Sequence, residues 1–162
     1  MSALPTSKMK PGSLRKYRPG KQFAGSLPGQ KDLVGAIKTL CRQSAIMHAT
    51  FSISGTVSSA VIGVFDQVQE VHVTHLEKGA SELLFCQGTF SLRSGKPCIT
   101  AKVILADQQG QLTGGHLFSD TIIHEAEIDL QERIENKSGK PGRLVNNYHG
   151  FAHERRFECC RP

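Results

Sequence analysis

The chain has no apolar run long enough to cross a bilayer, and its first residues hold no stretch that would serve as a signal h-region. Neither a membrane span nor a secretory leader is therefore expected. Its five cysteines are odd in number, and Cys41, Cys86 and Cys98 lie inside apolar-patterned segments, where a thiol behaves as a small hydrophobe. Disulfide staples are not expected, and a reducing, cytoplasmic setting is. The signatures of catalysis are missing as well. There is no phosphate-cradling glycine motif, and Ser58, Ser59, Cys86 and Cys98 stand in strand-like contexts without a nucleophile elbow or a Cys-His pattern. No internal repeat of solenoid or propeller length is present. The expectation is a non-enzymatic protein with no cofactor.

Acid is absent from residues 1–21, which carry Lys8, Lys10, Arg15, Lys16, Arg18 and Lys21. Residues 22–130 reverse the balance with seven basic and ten acidic side chains, and residues 131–162 return to seven basic against four acidic. The net charge of +6 thus lives in the ends. Attraction for a polyanion belongs to the tails, with Arg15, Lys16, Arg18 and Lys21 as candidate nucleic-acid contacts. Three segments follow from composition: a disordered basic arm over 1–20, a folded domain over 21–130, and a flexible extension over 131–162, where Asn136 to Gly142 reads as a linker.

Within the domain the hydrophobic period changes several times. Lys21 to Leu27 reads as a short strand closed by Pro28-Gly29. Leu33, Ile37, Leu40 and Cys41 then form one helical stripe behind Asp32. From Ile46 to Ser54 the period is two; Val57 to Phe65 is apolar on both sides, as in a central strand, and Val68 to Leu76 is polar enough for an edge. Ser81 to Leu92 reads as a strand with a bulge at Gly88. Ile99, Ala101, Val103 and Leu105 alternate with Thr100 and Lys102, and Ile122, His124, Ala126, Ile128 and Leu130 alternate with Glu125, Glu127 and Asp129. Between these two runs lies a glycine-rich stretch ending Gly114-Gly115-His116-Leu117, which reads as the turn of a hairpin. The sum is an α+β domain of about seven strands in a mostly antiparallel, mixed sheet packed on one main helix.

The order of a strand, the stretch Gly110-Gln111-Leu112-Thr113-Gly114-Gly115-His116-Leu117, and a strand bearing Ala126-Glu127 resembles the plant and prokaryote conserved (PPC) domain. That family is found alone in prokaryotes and behind AT-hooks in plant nuclear proteins. Pro28-Gly29-Gln30-Lys31-Asp32-Leu33 resembles the family's entry to its first helix, and Gly79-Ala80-Ser81-Glu82-Leu83-Leu84 with Gly88 resembles its acidic strand. The resemblance implies a homotrimer and DNA as a partner, although Arg18-Pro19-Gly20 lacks the leading glycine of an AT-hook.

Prokaryotic relatives often carry His-x-His on the strand before the Gly-Gly-His-Leu stretch, and those imidazoles with the following histidine can hold zinc. Thr100 and Lys102 occupy the matching positions here, and an ammonium opposes a cation, so no metal is expected. The alternative to a DNA-binding module is a small-molecule or anion site around His116, Lys102 and Glu82, with Thr100, Gly114 and Gly115 beside them. A third reading is a protein-interaction platform. His72 and His75 face opposite sides of a strand, and His124 falls on the apolar face of the last one.

Overall fold

The computed structural model describes residues 16–135. Six strands and one helix follow in the order β1 (Tyr17–Leu27), α1 (Leu33–Gln43), β2 (His48–Asp66), β3 (Val71–Arg93), β4 (Lys96–Ala106), β5 (Leu112–Leu117) and β6 (Ile122–Glu135). Residues 1–15 and 136–162 lie outside this range, and with them most of the basic arm and of the C-terminal extension. Tyr17 to Gly20, read above as part of the arm, belongs to β1, and β6 runs past Leu130 to Glu135.

The helix forms as its stripe predicts. Asp32 caps it, with Oδ2 accepting from the Gly35 N–H at 2.7 Å, and Leu33, Val34, Ile37 and Cys41 are buried. It ends where the Ser44 N–H donates to the Leu40 carbonyl and Ala45 turns to a positive φ of 54°.

The fold class differs from the α+β expectation. The domain is mostly β, with a single short helix and a closed β-barrel, and every strand pairing is antiparallel. The sheet runs β1-β6-β2-β3-β4-β5, and β5 then returns to β2 through Ile62↔Leu117 and Gly63↔His116, which closes β2, β3, β4 and β5 into the barrel. Two features produce the difference. The glycine-rich stretch read as a turn is a strand, so β4 and β6 do not form a hairpin; β6 pairs with β1 and β2 instead. Segments read as separate strands are also continuous, since β2 spans 19 residues and β3 spans 23. Gly55, at φ +134°, lets β2 bend at a register shift without ending there.

Smaller corrections follow from register. Gly88 makes no bulge: it pairs regularly with Phe51 and Ala101, and a Cβ there would meet the Phe51 ring and the Thr100 carbonyl oxygen. Val68 lies in the turn between β2 and β3, where Asp66 Oδ1 accepts from the N–H groups of Val68 at 2.8 Å and Gln69 at 3.0 Å. In β6 the register shifts between the pairs Thr56↔Glu125 and Val57↔Ile123, so His124 is the extra residue and is exposed. Ile123, Ala126, Ile128 and Leu130 are the buried set of that strand. They join Leu33 and Ile37 of the helix and Ile62, Phe90, Val103 and Leu105 of the barrel in one core.

Candidate functional site

The sheet face turned away from the core is polar, because the alternation that sends Ala101, Val103, Ile128 and Leu130 inward sends Thr100, Lys102, Asp129 and Gln131 outward. A cleft of about 720 Å³ opens on this face, and Thr100, Lys102 and His116 all line it. Lys102 and His116 pair directly across β4 and β5. Thr50, Gln87, Thr89, Gln131 and Arg133 add polar lining, Asp129 adds a carboxylate, and Phe51 and Phe85 give it two large apolar side chains. Sequence reasoning missed these last residues because they reach the cleft from β2, β3 and β6, and only register brings them together. Period-two alternation was the signal available for each strand taken alone.

Glu82 stands apart from this group. It is exposed, opposite Thr56 and Ala106, whereas Lys102 lies opposite Gln87 several rungs along the same ladder. Gly114 and Gly115 serve the packing of strands. A Cβ at Gly114 would approach the Val103 carbonyl oxygen at 2.7 Å, and one at Gly115 would approach the Gly63 carbonyl oxygen at 2.5 Å.

At the β5 end of the cleft, His116 meets His72 of β3 edge-on, with ring centroids 4.7 Å apart. Phe65 and Phe118 pack on His72 at 5.1 and 5.7 Å. Gly63 of β2 lies opposite both Thr74 and His116, and a Cβ there would meet the Phe118 ring at 2.7 Å and Thr74 at 3.1 Å. Burial holds the His116 pKa below its ordinary value, and the neighbouring His72 and Lys102 push it the same way. Burial also lowers that of His72. Both shifts favour the neutral imidazole. His75, on the opposite face from His72, pairs with Glu77 at 3.1 Å.

Of the four basic candidates for nucleic-acid contact, Lys16 is exposed just before β1, Arg18 and Lys21 are exposed within it, and Arg15 lies outside the described residues. The backbone N–H of Lys21 donates to Glu132 at 2.9 Å, and its ammonium donates to the Ser44 carbonyl at 3.2 Å. The first rung of the β1–β6 ladder is Tyr17↔Glu135, so the chain enters and leaves the folded body side by side.

The fold and this outer sheet face define a class, and sequence comparison agrees. The profile of the Plants and Prokaryotes Conserved (PCC) domain matches residues 14–133, and the chain belongs to that family. A plant- and prokaryote-conserved (PPC) protein from Pyrococcus horikoshii is 30% identical, with 80% of this chain and 87% of that chain covered at a TM-score of 0.72. A metal-containing protein from Archaeoglobus fulgidus is 31% identical, with coverages of 76% and 87% and a TM-score of 0.72. A candidate DNA-binding protein from Ralstonia eutropha shares the fold at 22% identity, covering 68% of this chain and 76% of that chain, with a TM-score of 0.60. No curated protein matches the chain. Among the described residues no helix is long and apolar enough to cross a membrane.

Proposed function

We propose that the protein is a non-catalytic binding module whose body assembles as a homotrimer and whose basic tails contact DNA. The observation that carries this reading is the Tyr17↔Glu135 rung. Residues 1–16 hold four basic side chains and no acid, residues 136–162 hold six against two, and both segments join the body at that one place. Positive charge from the two tails is thereby focused at one end of a body that is otherwise acidic. Three such ends on one assembly raise avidity through effective concentration, with steep salt dependence and little reading of sequence. The thiols Cys41, Cys86 and Cys98, buried and outside any disulfide, suit a reducing compartment. Neutralising Arg15, Lys16, Arg18 and Lys21 to Ser in the full chain should weaken DNA retention. It should also flatten the plot of log affinity against log salt by as much as about 3 to 4 per arm. An unchanged slope would sink the proposal.

A second reading is favoured by the cleft itself. Lys102 and Arg133 supply cationic donors among hydroxyls and amides and outnumber the one lining carboxylate, Asp129, which suits a small anion such as a carboxylate or phosphate. A thermal-shift series with phosphate and dicarboxylates tests it, with stabilisation lost in Lys102→Met as the supporting result. Zinc does not fit this cleft. The ammonium of Lys102 faces His116, and among the described residues no group of three or more His, Cys, Asp or Glu side chains could hold a metal ion.

A further inference from the structure

The sheet is open at β1, which among the described residues pairs only with β6. Beside that edge a groove of about 580 Å³ runs between β1 and α1. One wall is the unbroken run from Phe23 to Leu27, and the other is a face of the helix that presents Ala36, Thr39 and Leu40. The two elements run in opposite directions: residues 28–32 connect them at one end, and at the other the Lys21 ammonium donates to the Ser44 carbonyl. An edge strand flanked by a helix accepts a further strand, the backbone supplying pairing groups and the groove taking alternate side chains. Asp32 stands at the Leu27 end, where its Oδ2 accepts from the Gly35 N–H and its Oδ1 is buried without a hydrogen-bond donor. Lys31 and Asp32 are the two charged residues of the lining and offset each other, so the groove suits an uncharged, extended segment that brings a donor.

We infer that Leu144-Val145-Asn146-Asn147-Tyr148 of the same chain lies in this groove as a strand added along β1, with Leu144 and Tyr148 turned into it. Reach decides the occupant. β6 ends at Glu135, opposite Tyr17, so the chain leaves the body beside the start of β1. From there to Phe23 is six residues of strand, and with the two strand spacings that cross β1 the path is about 22 Å. Residues 136–143 span at most about 29 Å, and Gly139, Pro141 and Gly142 among them suit the turn that such a path requires. Leu144 and Tyr148 are spaced as Phe23 and Leu27 are, so they share one face of an added strand and meet the two ends of the groove. Leu144 packs on Phe23 and Leu40. The Tyr148 ring packs on Leu27, where a small turn of the Asp32 carboxylate brings Oδ1 to the phenol O–H. Residues 1–15 start from the same place, but Pro5 and Pro11 interrupt strand pairing there, and the stretch between them carries Lys8 and Lys10.

Hydrogen exchange followed by mass spectrometry on the full chain, without nucleic acid, tests this. The amides of residues 144–148 should exchange at least about tenfold more slowly than those of an unstructured chain. A tail variant combining Leu144→Asp with Tyr148→Asp should return them to the unstructured rate and speed exchange over Phe23 to Leu27, with the β2–β3 ladder unchanged. A groove variant, Ala36→Lys, should free the same segment with its own sequence intact. If Ala36→Lys loses its circular-dichroism melting transition, Thr39→Lys, at an exposed position on the same helix face, takes its place. An equal, co-refolded mixture of the tail and groove variants should stay unprotected, because neither chain has both parts. Wild-type residues 144–148 exchanging at the unstructured rate, or remaining protected in the groove variant, would overturn the inference. Protection regained in the mixture would overturn it too, since it would seat the tail of another copy in the groove.

Discussion

Gly115→Ala tests whether the barrel is closed. Gly115 lies in β5, opposite Val103 of β4, and its other side faces β2 where the seam forms. An added Cβ would stand 2.5 Å from the carbonyl oxygen of Gly63 and 3.0 Å from its carbon. Both are backbone atoms held in the β2–β3 ladder, so neither can swing aside as a flexible side chain would. The seam is short, consisting of the rungs Ile62↔Leu117 and Gly63↔His116 with the Phe118 N–H donating to Val61 at 2.9 Å. Overpacking of this kind costs about 1–3 kcal/mol, and with paired backbone as the obstacle the upper part of that range applies, about 2–3 kcal/mol. For a body of this size each kcal/mol lowers the melting temperature by roughly 3–5 °C, so Gly115→Ala should melt roughly 6–15 °C below wild type. Gly25→Ala is the control, since a Cβ there meets nothing within 4 Å and φ is not positive. It should leave stability unchanged or raise it by up to about 1 kcal/mol. If calorimetry places Gly115→Ala within about 2 °C of wild type, β5 does not lie against β2 and the closure is refuted.

Three further outcomes follow from the same structure. Ile37, fully buried where α1 meets the sheet, should cost about 3–4 kcal/mol on replacement by Ala, while Leu112→Ala, at 65% exposure, should fall within about 0.5 kcal/mol in urea titrations. His72 and His116 have pKa values below the ordinary histidine value near 6.5. The unfolded chain therefore takes up protons first on acidification, so the stability these neutral rings contribute is complete above about pH 6.5 and is lost as the pH falls toward their folded values. The urea midpoint should fall between pH 7.5 and 5.5, and less so in His116→Gln; an identical pH slope in the variant would refute the assignment. The thiols of Cys41 and Cys86, both pushed up to about 12 by burial, should resist Ellman's reagent at pH 8 in the native chain and react once it is unfolded. Rapid native labelling at either position would show that the core opens there.

The parts of the fold that were legible in the sequence are those set by local pattern. Leu33, Ile37 and Cys41 mark their helix, and the alternation in β4 correctly divides Thr100 and Lys102 from Val103 and Leu105. What was not legible depends on neighbours distant in sequence. Gly114 and Gly115 have turn chemistry, and β5 is a strand because the backbones on either side approach too closely for any other residue. His124 continues an alternating pattern smoothly, so its bulge and exposure appear only in the shifted ladder with β2. Glu82 and Lys102 are near in motif and far in register. The cleft was half legible for the same reason: Thr100, Lys102 and His116 belong to one motif, whereas Gln87, Thr89 and Arg133 enter through pairing.

That division also explains how one scaffold carries different chemistry. The pairing of positions 102 and 116 is fixed by backbone hydrogen bonds between β4 and β5, which do not depend on the side chains found there. Gly115 sets how closely β5 approaches β2, since a Cβ there would stand 2.5 Å from the Gly63 carbonyl oxygen. Given that frame, the residue at 102 contributes to the charge of the cleft together with Arg133 and Asp129. An ammonium there repels a cation, lowers the pKa of the imidazole across from it, and supplies a donor to an anion. Backbone pairing sets the barrel, and side chains such as Lys102, Arg133 and Asp129 set the character of its outer face.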